Sequence, residues 1–296
     1  MAMSVRFWGT RGGIPTPGPG TVHYGGNTPC VEVQAGGQNL ICDAGTGIRP
    51  LGQDVLRRGP GPYEAHIFIG HCHWDHIQGF PFFAPAYVPG NRVTVYGSQG
   101  SGRAIREVLE GQMAHDFFPV EIKDLGADTR FVDLEEGTFT LGAVEVSTLH
   151  LNHPGLSMAI RLRHEGRTMV YSSDTEPFRF ILQRQQFPAG SALDAWIESL
   201  DRRVADFARD ADLLVVDGQY TVEQYAKKLG WGHNTMDEAA EIGHRAGAKR
   251  VAIYHHDPLH DDAFLDAQFA RLTEAFRKRG SRTEVIGARE GLALTL

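Results

Sequence analysis

Residues 70–79 read GHCHWDHIQG, directly after the short apolar run that begins at His66. Four potential metal ligands, His71, His73, Asp75 and His76, fall within six positions of this stretch. Alternate residues of an extended segment point the same way, so His71, His73 and Asp75 share one side. A turn into the next helix brings His76 round beside Asp75. Imidazole and carboxylate are ligands for zinc and similar divalent ions. A polar surface loop readily carries one histidine; three with an aspartate in so short a span point to metal. Nine of the 14 histidines form four groups: His71/His73/His76, His150/His153, His233, and His255/His256/His260.

Outward from this stretch, the chain reads as strands first and mixed elements later. Val5–Gly9, Cys30–Ala35, Leu40–Asp43 and Arg92–Gly97 are short β runs between glycine-rich turns, and Arg103–Met113 suits a helix. Gly9 to Gly20 (GTRGGIPTPGPG) is too rich in Gly and Pro to be regular and is expected to be a functional loop. Thr138–Leu151 reads as one long β stretch. Met158–Arg163 and Thr168–Ser172 flank a hairpin turn. Leu213–Asp217 and Val251–His255 are strands of the buried type. Leu193–Ala208, Met236–Ala246 and Phe264–Lys278 have helical spacing, and Glu284–Ile286 and Leu292–Leu296 close the chain with β. Both halves run from strands to helices, which predicts an α/β fold of two facing sheets with helices outside, as one domain over residues 1–296.

Composition narrows the setting. There are 29 Lys+Arg against 36 Asp+Glu, a net charge of −7, which argues against a dedicated polyanion binder. Three cysteines, Cys30, Cys42 and Cys72, without a secretory signal argue for a reducing cytoplasm and against a disulfide framework. No apolar run is long enough for a transmembrane helix, so no membrane partner is expected. Cys72 is read as packing. Phe80, Phe82, Phe83 and Tyr87 are read mostly as core, with one or two lining a pocket. His23, His66, His115, His164 and His244 receive no functional role.

HCHWDH resembles the H-x-H-x-D-H signature of the metallo-β-lactamase superfamily. Further motifs follow in that family's order: LNHPG (151–155), Ser173-Asp174-Thr175, VAIYHHDP (251–258) and the supporting turn Asp43-Ala44-Gly45-Thr46-Gly47. The loop from Gly9 with NTPCVEV, the run QGFPFFAPAYVPGN, and WGHNT look like the phosphodiesterase-type branch, which includes ribonuclease Z and cyclic phosphodiesterases. Gly70 departs from the pattern, since Thr or Ser usually precedes the first ligand.

The resemblance implies a four-layered αββα sandwich and two divalent ions. One ion would take His71, His73 and His153, the other Asp75, His76 and a final histidine, with Asp174 bridging. That final ligand is His255 or His256; aligning the strand ending favours His255. Zinc suits the nitrogen-rich set, with manganese or iron also allowed. The implied activity is hydrolysis of small or cyclic phosphodiesters through a metal-bridging hydroxide, with Asp75, His233 and Asp217 as catalytic residues. Asp217 and His233 resemble the pair that assists leaving-group departure in ribonuclease Z.

Ribonuclease Z usually carries a substrate-gripping arm between the third histidine motif and the bridging aspartate. Here His153 and Asp174 are separated by only a hairpin's length. That gap predicts a small phosphodiester substrate and no long nucleic acid; a homodimer is compatible. A thioesterase-type hydrolase and a non-catalytic metal-binding sensor are the competing readings. The retained ligand motifs and the Asp217–His233 pair argue against the sensor.

Overall fold

A computed structural model describes residues 2–59, 61–98, 102–183 and 192–296. The first half of the chain alternates strands and short helices: β1 (Ser4–Gly9), β2 (Cys30–Ala35), β3 (Gln38–Cys42), α1 (Ile48–Arg57), β4 (Glu64–Ile69), α2 (Trp74–Ile77), β5 (Arg92–Ser98), α3 (Ile105–Gln112) and β6 (Asp128–Leu134). The second half opens with the antiparallel run β7 (Gly137–Leu141), β8 (Val144–Leu151), β9 (Ser157–His164) and β10 (Arg167–Ser172). It continues through α4 (Phe178–Gln183), α5 (Ala192–Phe207), β11 (Leu213–Asp217), α6 (Val222–Tyr225), α7 (Met236–Arg245), β12 (Arg250–Tyr254), α8 (Asp262–Lys278), β13 (Glu284–Gly287) and β14 (Ala293–Thr295).

The strands form two seven-stranded mixed sheets, ordered β14-β1-β2-β3-β4-β5-β6 and β13-β12-β11-β10-β9-β8-β7. Each sheet combines three antiparallel pairings with three parallel ones, the parallel strands being β3 to β6 in the first sheet and β10 to β13 in the second. Parallel strands need crossover connections, and helices make most of them. Strand residues of one parity meet between the sheets: Phe7, Val31, Val33 and Phe68 from the first pack with Ile160, Tyr171, Val215 and Tyr254 from the second. The other parity packs outward. Ile41, Ile67 and Val95 meet Leu51 of α1 and Leu109 of α3, while Leu214, Val216 and Ile253 meet Ala239 of α7 and Leu272 of α8. The result is the four-layered αββα order expected from the sequence. No helix among the described residues is long and apolar enough to cross a membrane.

Three local features differ from the sequence expectation. The stretch 138–151 is not one strand but the hairpin β7–β8, turned at Gly142, whose φ of +54° suits a residue without Cβ. Strand β6 has no strong β signal: its sequence DTRFVDL is polar and mostly exposed, because it lies at a sheet edge. Helix α1 is equally hidden, since IRPLGQDVLR carries a proline and a glycine, yet it buries Ile48, Leu51 and Val55.

The layout places chemistry at one end. β3, β4, β10, β11 and β12 run parallel to a neighbour, and each ends beside a motif: Asp43, His71, Asp174, Asp217 and His255. Sites in open α/β sheets form outside the carboxyl ends of such strands.

Candidate metal centre

Immediately after β4, Gly70 leads into His71, and His73 precedes the single turn of α2, which carries Asp75 and His76. His153 follows β8, Asp174 follows β10 and His255 follows β12. Ligand atoms of His71, His73 and His153 converge within 4.8 Å of one another, as do those of Asp75, His76, Asp174 and His255. Asp174 touches both groups: its Oδ2 lies 3.4 Å from His71 Nε2, 3.2 Å from His76 Nε2 and 3.3 Å from His255 Nε2. His76 and His255 face each other nitrogen to nitrogen at 3.2 Å, and His153 Nε2 stands 3.1 Å from His73 Nδ1.

Most of the rings are oriented from behind. His76 Nδ1 pairs with Asp43 Oδ2 at 2.6 Å, and Asp43 also accepts from the Gly70 N–H at 2.6 Å and from the Tyr171 hydroxyl. His255 Nδ1 lies 3.0 Å from Gln219 Oε1. His153 Nδ1 donates to the Gly232 carbonyl at 2.7 Å. Such partners fix the tautomer and free the other nitrogen to bind. Asp75 Oδ2 accepts from the Gly13 N–H at 2.7 Å, so the glycine-rich loop after β1 closes onto the site. A Cβ on Gly12 would meet the His255 ring at 2.3 Å, and one on Gly232 would meet His153 Nδ1 at 2.2 Å. These glycines let backbone lie directly against the ligand rings.

Gly70 has a comparable explanation. A Cβ there would meet Ser173 Oγ at 2.4 Å, and that hydroxyl lies 3.3 Å from His71 Nδ1. Ser173 supplies, from the other sheet, the hydroxyl that position 70 lacks.

The two adjacent histidines after β12 separate cleanly. His255 has φ +62°, an unusual conformation for a residue with a side chain, and its ring enters the cluster. His256 turns away; its Nε2 lies 2.8 Å from the Ala288 carbonyl, and its ring packs on Tyr24 and Phe269. His150 and His260 also lie outside the cluster, His260 pairing with Gln224.

The electrostatics suit a cation. Burial, reinforced by the imidazole of His76, drives His71 well below the ordinary histidine range, and burial takes His153 down to about 4. Both rings are therefore neutral, the form that ligates. Burial opposes ionisation of Asp174, but His255, His76 and His71 hold it well below the usual carboxylate range. Within the cluster, His71 Nε2 and Asp174 Oδ1 are buried without a hydrogen-bond partner. Such atoms ordinarily cost ~1–3 kcal/mol each when unsatisfied, and a divalent ion is the partner their chemistry fits.

Beside the cluster, His233 Nδ1 lies 3.1 Å from Asp217 Oδ2 at the end of β11. Asp217 also accepts from the backbone N–H of Gln219 at 3.1 Å. Burial disfavours charge on His233, but Asp217 and then Asp174 outweigh it and raise the imidazole to about 9. The His233 ring stacks 5.0 Å from that of His255 and meets His153 edge-on at 5.3 Å, so it stands where the two ligand groups join.

Other residues carry no sequence signal strong enough to find them. Glu176, just after the SDT motif, is 1% exposed. It accepts from the N–H groups of Gly230 and Gly232, each at 2.8 Å, and from the Tyr225 hydroxyl. It thus pins the loop that carries the His153 acceptor. Phe80 and Phe83 are core, whereas Trp74, between two ligands, is 79% exposed and Trp231 is 57% exposed. Cys72 packs with the helix-side core, and burial raises its thiol to about 11.

Comparison with known proteins gives a consistent picture. A family model described as a beta-lactamase superfamily domain matches residues 38–256. Ribonuclease Z of Haloarcula marismortui is 24% identical, over 86% of this chain and 86% of that protein. Among solved structures, a diphosphatase from the PhnP family covers 100% of this chain and 98% of its own, with TM-score 0.65 and 17% identity. Human tRNase Z, short form, covers 98% of each chain with TM-score 0.61 and 20% identity. The structural likenesses establish the fold.

One expectation is overturned by these relatives. The acidic net charge and the short His153–Asp174 gap argue against long nucleic acid, yet similar proteins are named as a ribonuclease and a tRNase. Net charge averages over the whole surface, whereas a polyanion responds to the field at the site. The exclusion does not hold.

Proposed function

This chain belongs to the beta-lactamase superfamily, and from that premise we propose that it is a dinuclear metal-dependent phosphodiesterase. His71, His73 and His153 would hold one divalent ion, Asp75, His76 and His255 a second, and Asp174 would lie between them. Zinc is the favoured metal, because five of the seven donors are imidazoles; with no thiolate among them, manganese or iron is also allowed. When bound, such ions supply Lewis acidity to a phosphoryl oxygen and make water nucleophilic near neutral pH.

The protein's own part is orientation and proton delivery. Asp43, Gln219 and the Gly232 carbonyl hold three ligand rings in place, so little reorganisation is needed during reaction. In hydrolysis a new phosphorus–oxygen bond forms to water and the bond to the leaving alkoxide breaks. That alkoxide must gain a proton. His233, with Nδ1 engaged by Asp217, holds the proton at Nε2 and passes it to the departing oxygen. The products are a phosphomonoester and an alcohol.

The observation that carries this reading is the Asp217–His233 pair beside the ligand cluster. Cleaving a thioester expels a thiolate, which is stable enough to leave without such an acid. The test is a panel of phosphodiester, phosphomonoester, thioester and β-lactam substrates offered to the metal-loaded protein. A diester should be turned over fastest; faster turnover of a thioester or a β-lactam would overturn the proposal.

A further inference from the structure

The loop between α6 and α7 brings two unassigned side chains, Lys228 and Trp231, to the His233 side of the site, next to Tyr220. The Lys228 ammonium lies 3.8 Å from the centroid of the Trp231 ring and 5.9 Å from that of Tyr220. Tyr220 in turn presents its ring edge-on to His233, with centroids 5.8 Å apart. Lys228 and His233 therefore face one and the same ring. Among the described residues no carboxylate forms an ion pair with Lys228, although acidic residues outnumber basic ones 36 to 29 in the chain. Lys228 is half-buried, and Lys227 beside it is exposed.

The loop is firmly held. Lys228 N–H donates to the Tyr225 carbonyl at 2.8 Å and Trp231 N–H to the Lys228 carbonyl at 3.0 Å, while buried Glu176 clamps Gly230 and Gly232 on either side of Trp231. An exposed tryptophan anchored in this way, with a cation against its ring, is preorganised for a ligand with an aromatic ring and a negative charge. Base–aromatic stacking joined to a lysine that meets phosphate is the way single-stranded nucleic acid is held.

We infer that Trp231 and Lys228, with Tyr220 beside them, seat the nucleotide on the leaving-group side of the scissile diester. The departing base stacks on Trp231, and the next phosphate along the chain pairs with Lys228. The preferred substrate class is then a nucleotide chain with a phosphate beyond the one being cleaved. This rests on the phosphodiesterase reading, in which His233 marks the leaving-group side.

Two measurements test it. The first compares ApA with pApA and ApAp, which carry an extra phosphate at one end or the other. One of the two should exceed ApA by about tenfold in kcat/KM, mainly through KM, as expected for a charge-assisted contact. Lys228→Gln should bring that ratio close to one, and Trp231→Ala should weaken use of all three by roughly tenfold through lost stacking. No benefit from either phosphate, or a benefit that survives Lys228→Gln, would overturn the inference. Hydrolysis of methyl 4-nitrophenyl phosphate by the unaltered protein tests the phosphodiesterase reading separately.

The second measurement needs no turnover. Adenosine 3′,5′-bisphosphate should quench tryptophan emission of the metal-loaded protein; the quenching should vanish in Trp231→Phe and need about tenfold more ligand in Lys228→Gln. Unchanged quenching in both variants would refute the seat even if diesters are cleaved. Quenching at Trp231 without diester hydrolysis would keep the seat and remove the phosphodiesterase reading.

Discussion

The two ligand groups of the site are built differently. Asp75, His76, Asp174 and His255 are all buried, whereas the His71, His73 and His153 group leaves His73 exposed. Support from behind differs in the same sense. His76 rests on Asp43, His255 on Gln219 and Asp75 on the Gly13 N–H, at 2.6, 3.0 and 2.7 Å. In the other group His153 has the Gly232 carbonyl at 2.7 Å, His71 has only the longer 3.3 Å approach to Ser173, and His73 meets its fellow ligand His153. A ligand already fixed in its rotamer loses less entropy on binding. The buried group should therefore hold its ion more tightly, and the open group should be the side where water and substrate exchange.

Removing a ligand from each group is the harshest test of that contrast. Asp75→Ala takes a donor from the buried group and frees the Gly13 loop. Turnover should fall by more than ~10³-fold, since two ions held there would together contribute several kcal/mol of transition-state stabilisation. His73→Ala should cost less and be partly recovered by raising the metal concentration. Equal, unrecoverable losses in the two variants would abolish the distinction, and atomic absorption on each purified variant reads it directly.

His233 lies at the junction of the groups and should behave unlike either. His233→Ala should lose ~10²–10⁴-fold in turnover, about 3–5 kcal/mol of barrier, while binding as much metal as the unaltered protein. The loss should shrink for an aryl leaving group, which hardly needs a proton. An identical loss on alkyl and aryl diesters, or loss of metal, would make His233 structural.

The supporting residues give the smallest and most discriminating effects. Asp43→Asn weakens the shortest of these supports, and metal affinity at the buried group should fall roughly 10–100-fold. Ser173→Ala, behind His71, should cost under about tenfold, because the Ser173–His71 hydrogen bond is long. Zinc titration against a competing chelator ranks the two, and a larger effect at Ser173 would reverse the proposed order of the groups.

A good part of this is legible in the sequence. Strands ending beside ligand-rich turns are local features, so the two-sheet architecture and the dense motif at 71–76 can be read directly. Where interactions join distant segments, reading fails. Nothing in GTRGG says that the Gly13 amide will meet a carboxylate 62 residues away. The pair at 255–256 is ambiguous because both are histidines; the left-handed turn at His255 decides which ring enters, and Gly12 leaves room for that ring. Glu176 looks like an ordinary surface acid until the loop at 230–232 folds over it. The exclusion of long nucleic acid fails for a related reason: a total charge says nothing about how charge is distributed around the site.

If the cluster holds two ions of unequal strength, counting bound zinc during stepwise chelation will separate them. Protein stripped of metal and reconstituted with zinc should contain two ions per chain by mass spectrometry under native conditions. Rising chelator should remove one before the other, and Asp43→Asn should merge the two steps. No more than trace metal after reconstitution with zinc and manganese, or a single ion that leaves in one step, would mean that the cluster holds no such pair.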